Sequence, residues 1–261
     1  MTERHIVLYF GGNGHAAVRL EAARRALART SGALELHDVP YPGFEGRPRA
    51  QSLESFLTAI GQSCRDLRPE QTVAMASGIG GLIALSLRSR ELLRGVPLIL
   101  QAPVLWGLEH RSFPRVMRWG VARSVLAWAF TQRWFQDRFE RKQFLHPLDP
   151  ATRAGFFAGY LRCSAFADFF EWFTPSFLRD LERRFAADPG GLEPITVWWG
   201  GQDQVVDLEE LHITEAVLGV RWPLVEFPGW GHYPMIDEPE EWAKALSRFV
   251  ETRAREVEEH G

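Results

Sequence analysis

The sequence predicts an α/β fold, a mostly parallel, doubly wound sheet with an inserted helical lid. Six short apolar runs, bounded by Gly, Pro or Asp, alternate with helical stretches in the manner of βαβ units. The alternation stops after Pro103, and a long helical stretch rich in Trp and Phe follows, with no convincing strand before Ile195. The length, 261 residues at 46% hydrophobic content, suits one large domain with an insertion as well as it suits two domains. The patterning favours the first.

In order, strands are expected at 6–10, 34–37, 72–76, 97–101, 195–199 and 224–227. Helix periodicity predicts a helix over 16–29, with Val18, Ala22, Ala26 and Leu27 on one side and arginines on another, and a second over 53–67. Residues 1–103 and 190–261 form the expected core and 104–189 the expected lid. The lid holds Trp106, Trp119, Trp128, Trp134 and Trp172. Most of its aromatics are expected to be its own core and its packing on the sheet, with a few lining an apolar pocket. The last expected helix, 240–259, carries Trp242, Leu246, Phe249 and Val250 on one face.

Composition narrows the function classes. A net charge of −3 with a pI near 6.3 and no basic stripe argues against nucleic acid as the main partner. Arg24-Arg25 and Arg183-Arg184 read as solvated helix faces. Cys64 and Cys163 lie far apart without C-x-x-C spacing, so neither a disulfide framework nor a metal site is expected, and a reducing cytoplasm fits. The first residues run straight into the apolar run at 6–10, which leaves no room for an export signal. Apolar runs end well short of the ~18 residues of a membrane span. The expected partner is therefore a small hydrophobic molecule, with no cofactor, no nucleic acid and no membrane.

Four segments carry chemistry. Residues 73–85 read as a strand, a tight glycine turn and a helix; the small residues Ala76 and Gly80 flank Gly78, with Ser77 before it. Phe10-Gly-Gly-Asn-Gly-His15 is a glycine-rich turn after the first strand. It lacks the Lys-Ser/Thr ending of a phosphate-binding loop and fits G-x-G-x-x-G poorly. Trp198-Trp-Gly-Gly-Gln-Asp203 ends the fifth run in an acid, and Gly229-Trp-Gly-His232-Tyr-Pro follows the sixth. A softer fifth segment, Asp38 to Arg47, reads as turn-making.

Together these segments resemble the α/β-hydrolase family over nearly the whole chain. The resemblance implies that Gly78 stands at the nucleophile position of the strand-to-helix elbow, where the family has a catalytic side chain. It also implies that His232 and Asp203 are the catalytic base and acid, and that the amides of Asn13 and Ile79 are the oxyanion donors. Gly11 stands where the family usually has His. Shifting the elbow to present Ser77 would put Met75 and Ile79 where small residues are needed. Ser77, His15, Trp106 and Trp230 are the further candidates for the pocket.

Without a hydroxyl at 78, acyl-enzyme chemistry is closed. The expected function is an α/β-hydrolase-fold enzyme acting on a hydrophobic carbonyl compound by His-Asp general-base catalysis. It would be a lyase, isomerase or cyclase, or a hydrolase that activates water. A catalytically silent ligand binder, or an esterase whose serine at 78 has been replaced by glycine, are the alternatives.

Overall fold

The computed structural model describes residues 4–65, 67–117 and 119–260, without the side chains of residues 114 and 256–260. The reading of the first residues therefore falls partly outside the described residues, as does position 66 of the second expected helix. The strands are β1 (His5–Phe10), β2 (Leu34–Asp38), β3 (Thr72–Gly78), β4 (Leu98–Pro103), β5 (Ile195–Gly200) and β6 (Leu224–Phe227). They form one sheet in the order β2-β1-β3-β4-β5-β6, and every pair in it is parallel. The expected α/β fold is thus found, with all six strands running one way.

Strand β3 lies in the middle of the sheet and is buried along its whole length, so its side chains must be apolar or paired on both faces. Ala74 and Ala76 face one core cluster, and Val73 and Met75 face the other. The first cluster is covered by α2 (Leu53–Gln62), α3 (Gly80–Arg88), α9 (Pro175–Ala187) and α10 (Glu209–Leu218). The second is covered by α1 (Glu21–Thr30), α11 (Pro234–Asp237) and α12 (Pro239–His260). Each face is closed by helices because parallel strands need crossovers.

Between β4 and β5 the chain passes through α4 (Ser112–Met117), α5 (Gly120–Thr131), α6 (Arg133–Gln143), α7 (Pro150–Leu161), α8 (Asp168–Trp172) and α9. Two of these helices start where the sequence supplies cap and first residue together. Asp149 accepts the amides of Ala151 and Thr152 ahead of Pro150, and Thr174 accepts that of Phe177 ahead of Pro175.

Three expectations are corrected. The first helix opens with a 3-10 turn, Ala17–Leu20, before α1 begins, and this tighter winding turns Arg19 inward, where it is buried. The second helix stops at Gln62, its start fixed by a Ser52–Ser55 capping box. Trp119, Trp128 and Trp134 lie on the surface and not in the lid's core.

Candidate active site

The loops after β1, β3, β5 and β6 meet at the C-terminal edge of the sheet, the edge at which open α/β sheets bind ligands. At the end of β3, Gly78 has φ +53°, a conformation that costs a side-chain-bearing residue strain but costs glycine nothing. A Cβ at 78 would touch only Gly12 Cα, at 3.8 Å, whereas one at Gly80 would lie 2.2 Å from the carbonyl oxygen of Phe10. Position 80 is thus confined to glycine by the approach of α3 to β1. Position 78 is spatially open, and its side-chain direction points at the Gly11–Gly14 turn.

Ser77 is directed elsewhere. Its Oγ lies 2.6 Å from the hydroxyl of Tyr9, and both are buried. Burial raises the pKa of Tyr9, only partly offset by this bond to Ser77, so the phenol stays protonated.

Asp203 sits three residues beyond β5. One carboxylate oxygen, Oδ1, accepts the amides of Val205 at 2.7 Å and Val206 at 3.0 Å. The other, Oδ2, lies 2.8 Å from Nδ1 of His232 in the loop after β6. The two loops are tied by backbone bonds from Gly201 to Phe227 and from Gln202 to Trp230. Burial works to raise the pKa of Asp203. The facing His232, its hydrogen bond and the two amides outweigh that, and the carboxyl lies below its ordinary value. An ionised partner on Nδ1 directs the other ring nitrogen, Nε2, to act as a base.

His15 also pairs with an acid, Nε2 to Asp38 Oδ1 at 2.7 Å. A Cβ built on Gly11 would fall 2.1 Å from Cγ of His15. The imidazole of residue 15 therefore fills the space that a side chain at 11 would need. Asp38, read from sequence as part of a turn-making segment, holds that ring in place.

The remaining candidates divide. The amide of Trp106 donates to Thr214 Oγ1 at 3.3 Å, while its indole is buried with Leu105 and Leu108. Trp230 stacks on Phe227 with centroids 3.6 Å apart and packs with Trp198 in the second core cluster. The amides of Asn13 and Ile79 belong to the two turns that converge on position 78. Asn13 also caps its own turn, Oδ1 accepting from Gly14 N.

Sequence reasoning missed the groups that cover the turn. From α7, Tyr160 lies against Gly14 and Gly159 against the carbonyl of Gly14. The guanidinium of Arg19 packs over Phe156, 4.1 Å from its ring centre, and donates to the carbonyl of Asn13 at 3.3 Å and to the hydroxyl of Tyr233 at 3.4 Å. The arginines of this helix are expected apart from its apolar side; the place of Arg19, next to Val18 and three before Ala22, was the available signal. A cleft of about 780 Å³ opens on the other side of Asp203, lined among others by Arg111, Phe113, Trp199 and Glu210. Its lining does not include Gly78 or His232.

A family model described as the alpha/beta hydrolase family matches residues 12–245. No curated protein matches the chain. Among solved structures, a haloalkane dehalogenase loop variant from Bradyrhizobium elkanii has a TM-score of 0.75 at 13% identity, covering 100% of this chain and 93% of that one. A candidate aryl esterase from Burkholderia cenocepacia has a TM-score of 0.68 at 16% identity, covering 97% and 92%. A membrane phospholipase A, described as a bacterial virulence factor, has a TM-score of 0.66 at 18% identity, covering 96% and 79%. At these identities the likeness is one of fold.

Proposed function

Because the chain belongs to the alpha/beta hydrolase family, we propose that it is an enzyme using His232 as a general base, oriented by Asp203, on a hydrophobic substrate with a carbonyl group. The carrying observation is the buried Nδ1–Oδ2 pair at 2.8 Å, held in the loops after β5 and β6 at the same edge of the sheet as the end of β3, where position 78 has no side chain. The amides of Asn13 and Ile79 serve as oxyanion donors in this reading, and residues 104–189 serve as the lid.

The arrangement supports two reactions. Nε2 of His232 removes a proton next to the substrate carbonyl, leaving an enolate whose oxygen accepts from the two amides. Alternatively, Nε2 takes a proton from a water molecule over Gly78, and the hydroxide attacks the carbonyl. Neither forms a bond to the protein. A positioned base contributes typically ~10² to 10⁴ in rate, and an oxyanion donor another ~10² to 10³. The similar structures are named as a phospholipase, a dehalogenase and an esterase, so the fold alone does not choose the substrate.

Two variants test the reading. Replacing His232→Ala should lower turnover by about 10² or more while ligand affinity stays within a few-fold. Unchanged turnover in that variant rejects His232 as the base, and the absence of turnover in the parent protein favours the silent binder. The open direction at position 78 leaves room for Gly78→Ser, at the cost of backbone strain at φ +53°. Assayed on aryl esters, this variant should show no burst of product. A burst with a large rate gain would identify the site as that of a serine esterase lacking its nucleophile.

A further inference from the structure

Helix α5 faces the wrong way for a helix whose task is to cover a core. Its buried residues are Ala129 and Phe130, at its C-terminal end. Val121, Val125 and Trp128, at spacings of four and three on one helix face, are 79%, 56% and 57% exposed. Ser124, Ala127 and Thr131 are exposed as well. The outward stripe therefore contains no charge.

Neighbouring residues extend it. Trp119 and Trp134, flanking the helix, are 71% and 59% exposed, and Phe113 and Val116 of α4 are also exposed. Seven of the ten large apolar side chains found exposed among the described residues lie between 113 and 134. Such a concentration of exposed apolar side chains on neighbouring helices marks an interaction surface.

Charge selects the partner. Residues 112–142 carry seven basic and two acidic side chains in a chain whose net charge is −3, so the remainder of the molecule is acidic. Arg115, Arg133, Arg138, Arg141 and Lys142 are exposed. Tryptophan and aliphatic side chains on one face, with arginine and lysine around them, suit the boundary between lipid headgroups and acyl chains. A second copy meeting this face head-on would set the same basic segment against itself.

We propose, in place of the expectation from the sequence that no membrane is a partner, that the face built by α4, α5 and the start of α6 docks onto an anionic lipid bilayer, lying in its surface. No helix among the described residues is long and apolar enough to cross a membrane, and surface docking requires none. The inference goes beyond the reading of the site, because it rests on the outer side of the lid and not on His232.

The test is flotation of the full chain with vesicles of phosphatidylcholine containing phosphatidylglycerol, beside vesicles of phosphatidylcholine alone. The protein should float with the anionic vesicles, less so at high salt. Trp119→Ser/Val125→Ser/Trp128→Ser should weaken this binding by about tenfold or more, with an unchanged thermal melt as all three sites are exposed. Arg133→Glu/Arg138→Glu/Arg141→Glu should remove the preference for anionic lipid. Absence of flotation, or equal flotation of the serine variant, overturns the proposal. A parent that does not float but self-associates, when the serine variant is monomeric, assigns the face to a second copy instead.

Discussion

Position 11 and position 15 compete for one volume, since a Cβ at Gly11 falls on the ring of His15. This makes a sharp expectation for a double-mutant cycle followed by urea unfolding. In the parent chain, Gly11→Ala should cost about 1–3 kcal/mol, the usual range for overfilling a packed interior. In a His15→Gly background the same change should cost less than about 0.5 kcal/mol, because both the ring and the Cβ of residue 15, which would lie 2.6 Å from the added methyl, are gone. Additive costs would mean that the two residues do not share that space. This coupling was not legible in the sequence, which shows that position 11 lacks a histidine but not that a ring four residues later reaches back over it. The Tyr9–Ser77 bond was hidden for a similar reason, because it joins neighbouring strands 68 residues apart.

At the scale of elements, the joint between the inserted helical region and the sheet passes through Asp237 of α11, whose Oδ1 accepts the amide of Leu145 at 3.2 Å. Burial pushes this carboxyl up from 3.8 to about 6, partly opposed by the amides of Leu145 and His146. A raised acid binds its proton more tightly in the native state, so stability should fall as pH rises through the window between these values. Asp203 is held low and titrates below that window. The melting temperature of the parent relative to Asp237→Asn should therefore decline from pH ~4 to ~7. A flat difference would show that Asp237 is not perturbed. The elements themselves were readable because each strand is a short apolar run between breakers, and because the His232 and Asp203 loops are short-range motifs. The direction in which the lid's tryptophans point was not readable. Aromatic content signals a demand for burial, and the sequence does not say whether a neighbour in the same chain meets it.

Over the whole molecule, the segments that enter β4 and β5 are stitched together at the N-terminal edge of the sheet by Arg88 at the end of α3. Its guanidinium is buried and donates to the carbonyls of Val96, Gly191, Glu193 and Pro194. Burial lowers its pKa to about 10, which leaves it charged at neutral pH. Arg88→Leu would strand these acceptors and should cost about 3 kcal/mol or more in urea unfolding. A loss under about 1 kcal/mol would show that water or rearrangement satisfies them. The excursion leaves from β4 and returns to β5, and those strands are neighbours in register from Leu98 with Ile195 to Gln101 with Trp198. Its two ends are therefore fixed at opposite ends of one parallel strand pair whatever lies between them, and closing such a loop costs only about 0.6 kcal/mol more for each doubling of its length. Insertions in the exposed connections of the segment are thus cheap for the chain, so that these connections can vary in length while the packed helices, which supply Phe156, Phe169 and Leu178 to the core, and the scaffold below stay the same.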